Sequence, residues 1–127
     1  MSSDRKDPRV FVVDDESVIA LTLAMILSKQ GFEAHAFSLP LDALAQAHKI
    51  PPDLLITDVV MPRLSGIELA IKLRALSPNC KVLLFSGQAT TVDLLAEART
   101  KGHHFEVLTK PVHPADLLKR IETVFAD

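Results

Sequence analysis

The chain has 127 residues, with 14 Lys and Arg against 16 Asp and Glu, so its formal net charge is −2. One ordinary domain accounts for that length, and no second domain fits beside it. The charge balance leaves no basic excess to hold phosphate backbones, which argues against direct nucleic-acid binding, and 48% apolar residues is too many for a disordered chain.

The longest apolar stretch, Val18 to Leu27, is interrupted by Thr22 and spans about half of what a membrane helix needs. Met1 to Arg9 is polar and has no apolar signal core. A single cysteine, Cys80, excludes an internal disulfide and fits a reducing compartment. It opens an apolar run and is read as buried filler rather than a nucleophile. The expectation is a cytoplasmic α/β domain over residues 8–126, without membrane contact, behind a short polar extension over residues 1–7.

Runs of strand length alternate with longer stretches of helical period. Arg9–Val13 is predicted as a buried strand, and Ser17–Gln30 as a helix closed by Gly31. Glu33–Phe37 is the second strand. Ser38 and Pro40 start a helix that runs to His48, and Pro51-Pro52 stops it. Asp53–Thr57 is the third strand, and Gly66–Leu76 a helix ended by Ser77-Pro78. Lys81–Phe85 is the fourth strand, followed by a helix over Thr91–Lys101 closed by Gly102. Phe105–Leu108 is the fifth strand. His113-Pro114-Ala115-Asp116 opens the last helix, with Asp complementing the helix dipole. Five β-α repeats with strands apolar on both faces imply a parallel sheet covered on both sides. In such sheets ligands bind at the carboxyl ends of the strands.

There the sequence concentrates its chemistry. The first strand runs into Asp14-Asp15-Glu16, the third into Asp58, the fourth into Ser86-Gly87 and the fifth into Thr109-Lys110-Pro111. Each group alone has an ordinary explanation. Asp14 and Asp15 suit a helix N-terminus, Asp58 a turn, Ser86-Gly87 a loop, and Lys110 a solvated surface. Their joint placement, each just past a different strand, argues for one site. Clustered carboxylates repel and raise one another's pKa, and a hard divalent cation such as Mg²⁺ relieves this.

In Val-Val-Asp14-Asp15, Thr-Asp58-Val-Val-Met-Pro62 with Gly66, Phe-Ser86-Gly87 and Thr-Lys110-Pro111, the chain resembles the receiver domains of two-component response regulators. The match runs from about Pro8 to Phe125, and the four motifs together, in this order, are specific. The resemblance implies a doubly wound five-stranded sheet in the order 2-1-3-4-5. It implies that Asp58 takes a phosphoryl group from a histidine kinase or a phosphotransfer protein. Mg²⁺, or Mn²⁺ in its place, would be held by Asp15, Asp58, the Val60 main-chain carbonyl and, through a water, Asp14. Lys110 and Ser86 would contact the phosphoryl group, with backbone N–H groups near Val59 and Gly87 as further donors. The Lys110–Pro111 bond would be cis, and Gly66 would close the loop after Asp58, where a Cβ crowds the backbone. Phosphorylation would draw Ser86 inward and alter the surface of the fourth helix, fifth strand and fifth helix.

Two features depart from that family's pattern. The family's switch aromatic, three residues before the Lys, is replaced by Val107, with Phe105 two residues earlier on the same strand face. Either Phe105 substitutes for it or the aromatic switch is absent, and absence is the favoured reading. The first helix is apolar nearly all round. Val18, Ile19, Thr22, Leu23, Ile26 and Leu27 are expected inward, and Ala20, Leu21, Ala24 and Met25 outward. A few exposed apolar side chains are ordinary on a helix; the other reading is that Leu21 and Met25 contact the phosphodonor or form a homodimer. His103, His104 and His113 lack an acid or thiol at ligand spacing and are read as loop histidines. Val60 and Gln88, two positions past Asp58 and Ser86, border the expected path of hydrolytic water.

Other readings fit less well. A haloacid-dehalogenase-like hydrolase also uses an Asp after a strand, but its second acid would fall at Val60. A flavodoxin-like carrier needs a phosphate-cradling loop where Asp14-Asp15-Glu16 stands. A degenerate receiver that only binds is opposed by the intact Asp15, Asp58, Ser86 and Lys110. A receiver cut from a longer DNA-binding regulator or hybrid kinase remains an alternative.

Overall fold

A computed structural model describes residues 7–87 and 91–126. The elements run β1 Arg9–Val13, α1 Ser17–Lys29, β2 Glu33–Phe37, α2 Pro40–Lys49, β3 Leu54–Asp58, α3 Gly66–Leu76, β4 Lys81–Ser86, α4 Thr91–Thr100, β5 Glu106–Thr109 and α5 Pro114–Ala126. All strands pair in parallel in the order β2-β1-β3-β4-β5. This is the doubly wound order that the motifs imply.

Strand side chains alternate between two cores. On one face Phe11, Val13, Leu55 and Leu84 pack with Ala43 and Ala47 of α2, Leu69 and Leu73 of α3, and Ala98 of α4. On the other, Val10, Val12, Ile56 and Phe85 pack with Ala20, Ala24 and Leu27 of α1 and with Leu117 and Ile121 of α5. The three inner strands are therefore apolar on both faces through their centres, whereas edge strands β2 and β5 are only half-buried. Gly31 (φ 95°) and Gly102 (φ 90°) end α1 and α4 in the left-handed conformation that glycine tolerates best. At α1 the Phe32 N–H donates to Leu27 O and the Gly31 N–H to Ser28 O, so two terminal carbonyls are satisfied.

The strands end later than the sequence suggests. Asp58 pairs in register with Phe85, and Ser86 with Thr109, so these are last ladder residues rather than first loop residues. Their polarity hid them, but the ladder reaches to the sheet's end and fixes their backbones.

The face that α1 buries also differs from the expected one. Ala20, Ala24 and Leu27 are buried, Ile19, Leu23 and Ile26 are half-buried, and Val18 and Thr22 are exposed with Leu21 and Met25. A helix apolar all round carries no phase in its pattern. The two alanines settle it, because small side chains let the helix lie close on the sheet.

At the opposite end of the sheet from the acidic rim, Arg9 ties three segments together. Its Nε meets Glu33 Oε2 at 2.7 Å, its Nη1 donates to Pro51 O at 3.1 Å, and its backbone N–H donates to Asp53 Oδ2 at 2.6 Å. His35 Nε2 lies 2.9 Å from the same Glu33 oxygen. The Arg9 hydrogen bond, aided by His35, pulls the Glu33 carboxyl down from 4.5 to about 2. A depressed carboxyl stabilises the fold above its unfolded pKa and loses that contribution as pH falls through the folded one. Glu33→Gln should therefore cost about 0.5 kcal/mol in urea unfolding near neutral pH, modest because the pair is partly exposed. The gap between the two proteins should close as pH falls from 4.5 to about 2.

Candidate functional site

The parallel ladders bring the ends of β1, β3, β4 and β5 to one rim. Asp14, directly after β1, is 1% exposed. Its backbone N–H donates to Phe37 O at 3.1 Å, its Oδ1 accepts from Glu16 N at 2.9 Å, and its Oδ2 meets Lys110 Nζ at 3.2 Å. Asp15 is exposed beside it, and Asp58 is half-buried at the end of β3. One carboxylate oxygen from each of Asp14, Asp15 and Asp58 lies within 4.8 Å of the others. Among the described residues this is the cluster whose donors fit a metal ion. An all-oxygen set suits a hard divalent cation.

Lys110 crosses the rim. Its Nζ lies 3.3 Å from Asp58 Oδ2 while it holds Asp14. The Lys110–Pro111 peptide is cis, as the motif implies. Burial is the main cause that raises the Asp58 carboxyl above its usual pKa, with the Asp14 charge adding and the Lys110 ammonium opposing. Burial works against the charged Lys110, but the hydrogen bond and charge of Asp14, joined by Asp58, leave its pKa raised. Ser86, 8% exposed, ends β4 one position beyond the residue paired with Asp58, and its carbonyl accepts from Lys110 N–H at 2.9 Å.

The loop after Asp58 is fixed from several sides. Thr57 Oγ1 donates to Asp58 O at 3.0 Å, and the Gly66 N–H donates to Val59 O at 2.8 Å. A Cβ on Gly66 would land inside the Asp58 carbonyl oxygen, which is the crowding expected there. Ser65 caps α3 by accepting from Glu68 N, and Glu68 Oε1 returns the contact to Ser65 N. The Ser-x-x-Glu spacing of Ser65 and Glu68 is the sequence signal for this box. Arg63 sits at φ 73°, a left-handed position that its residue type did not signal. One expectation fails here. The Val59 N–H donates to Phe85 O at 3.0 Å, so it is committed to the sheet rather than turned to Asp58. Val60 lies at the mouth with its side chain exposed. Gln88 lies outside the described residues.

Two hollows flank the rim. A cleft of ≈ 580 Å³ beside Asp15 is lined by Leu39, Leu41, Asp42, Pro62 and Arg63. An apolar one of ≈ 470 Å³ lies between Ile19 and Leu23 of α1 and Phe85, Lys110 and Pro111.

Phe105 does not take the switch position. It precedes β5, where the Arg74 guanidinium lies 4.9 Å from its ring centroid and His103 stacks on it at 6.3 Å. It thus stands at the strand end remote from Ser86, while Val107 pairs in register with Leu84. His103 is half-buried by this stacking rather than a free loop side chain. His113 instead starts α5, with its Nδ1 accepting from Ala115 N at 3.1 Å. No described helix is long and apolar enough to cross a membrane.

The model of the response regulator receiver domain matches residues 10–122. The chain belongs to that family. It is 35% identical over 115 residues to the transcriptional regulatory protein CreB of Escherichia coli, covering 91% of this chain and 49% of that protein. It thus spans about half the length of CreB, and likewise of the probable regulator TcrX of Mycobacterium tuberculosis. Against the response regulator receiver protein CpdR of Brucella abortus it is 31% identical, with 90% of this chain and 93% of that one covered. Among solved structures, the chemotaxis protein CheY4 of Vibrio cholerae superposes with a TM-score of 0.81 at 28% identity, over 93% of this chain and 98% of that one.

Two measurements check the geometry of the receiver's rim. Gly66→Ala should destabilise the domain by about 2–3 kcal/mol in chemical denaturation, because backbone must yield to the new methyl. Lys110→Met removes the cation that, among the described residues, opposes Asp58 protonation, so carboxyl NMR should show Asp58 titrating at still higher pH than in the parent.

Proposed function

We propose that this receiver accepts a phosphoryl group on Asp58 from a histidine kinase or histidine phosphotransfer protein and signals through altered protein contacts. The observation that carries this reading is the Asp14, Asp15 and Asp58 cluster with Lys110 joined to both Asp14 and Asp58. Asp58 Oδ attacks phosphorus, the phosphorus–nitrogen bond of the phosphohistidine breaks, and the imidazole leaves with its electron pair. Lys110 already stands 3.3 Å from Asp58 Oδ2 and moves its charge to a phosphoryl oxygen. Ser86 supplies a hydroxyl donor from the neighbouring strand. Asp15 and Asp58 would hold Mg²⁺ or Mn²⁺ directly, with Asp14 through a water and the Val60 carbonyl completing the set. Bound there, the ion neutralises charge on the phosphoryl oxygens.

The acyl phosphate adds about two negative charges at the rim. Ser86 turns toward it, and the α4–β5–α5 surface shifts its population of conformers. With Val107 small and Phe105 held by Arg74, that shift proceeds without an aromatic side chain turning inward. The domain acts in the cytoplasm, without membrane or direct nucleic-acid contact. Its exposed α1 face is offered to the phosphodonor or to a second copy.

Incubation with acetyl phosphate or phosphoramidate and Mg²⁺ should add the mass of one phosphoryl group to the intact protein. Chelator and Asp58→Ala should each abolish the gain. No gain from either donor or from a phosphohistidine protein, with the receiver folded, overturns the reading.

A further inference from the structure

Within α1, from Ser17 to Ser28, there is no charged side chain. Its inner face is fully used, with Ala20, Ala24 and Leu27 buried against the sheet. Val18 (74% exposed), Leu21 (56%) and Met25 (62%) nevertheless stand in solvent. Their spacing of three and four residues aligns them as one stripe, about 10 Å long on a helix of about 20 Å. Charge appears only at the ends, where exposed Glu16 precedes the helix and exposed Lys29 closes it.

We infer that this stripe pairs with the same stripe of a second copy, the two α1 helices running antiparallel about a two-fold axis. A two-fold contact requires that each residue meet its counterpart reciprocally. The stripe meets that requirement, because Val18 and Met25 are equally spaced about the Leu21–Thr22 midpoint. Val18 of each chain then lies opposite Met25 of the other, and Leu21 falls at the axis. The same register brings Lys29 of each chain to the Glu16 end of the other and opposes the two helix dipoles. A parallel arrangement would set Glu16 against Glu16 and Lys29 against Lys29. One helix pair buries less than the roughly 1,000 Å² of a stable interface, so the dimer is weak and depends on concentration. The pairing rests on the packing and charge of α1 alone, not on the phosphoryl chemistry.

Sedimentation velocity of the full chain from micromolar to millimolar concentration tests this. The parent should pass from monomer to dimer, and Leu21→Glu should stay monomeric. Glu16→Lys should weaken association about three- to tenfold, since it repels Lys29 twice across the axis. Glu16→Lys combined with Lys29→Glu should restore it. Leu21→Cys should form a disulfide-linked dimer under mild oxidation, because Cys80 is buried with its thiol pushed up to about 12 and stays out of exchange. A parent monomeric at every concentration overturns the pairing, as does a dimer indifferent to these substitutions. A strictly monomeric chain in which Leu21→Glu with Met25→Glu slows phosphotransfer gives the face to the phosphodonor and likewise overturns it.

Discussion

Three carboxylate oxygens within 4.8 Å of one another, one of them on a side chain almost wholly buried, form an arrangement that electrostatics opposes. The rest of the receiver can be read as what holds it in place. Asp14 is fixed by its backbone bond to Phe37 and by the Glu16 N–H at the start of α1. Asp58 is fixed by the ladder to Phe85. Lys110 supplies a nearby cation, and its own backbone is tied to Ser86. Burial, with the Asp14 charge adding to it, holds the Asp58 carboxyl above its usual pKa. A divalent ion fits the donors that the fold has brought together.

That precision depends on a scaffold with little freedom. β1, β3 and β4 are packed on both faces, so the strand ends inherit the stiffness of two cores. Where the chain leaves β3 it is held by the Val59 N–H to Phe85, by Gly66 pressed against Asp58, and by the cap at Ser65. These contacts fix the Asp58 backbone, while its carboxylate faces Lys110 across the rim. The committed Val59 N–H shows the trade: a donor that anchors the loop is not at the same time a donor to the acceptor site.

The periphery of the sheet is less constrained. β5 is an edge strand, half-buried, with Val107 where the family's aromatic stands. Phe105 serves instead to join β5 to α3 through Arg74 and His103. On the opposite side, α1 spends its alanines on close approach to the sheet, and this turns its larger apolar residues outward.

Much of this was legible in the sequence, and the reason is local. Runs apolar on both faces require a buried parallel sheet, and the order of Asp14-Asp15, Asp58, Ser86 and Lys110 along the chain sufficed to predict one rim. Gly31, Gly66 and Gly102 were readable because only a missing Cβ or a left-handed backbone explains them where they stand. The four motifs were equally legible in naming the receiver family. Tertiary structure alone decided the phase of α1, because a helix apolar nearly all round offers little pattern from which to choose a face. It decided that Phe105 pairs with Arg74, thirty-one residues away in sequence, and that Arg9 meets Glu33 and Asp53. It decided also that Lys110 bridges Asp14 and Asp58. Composition and spacing set which residues reach a common rim; which atoms then touch depends on distances that exist only once the helices have settled on the sheet.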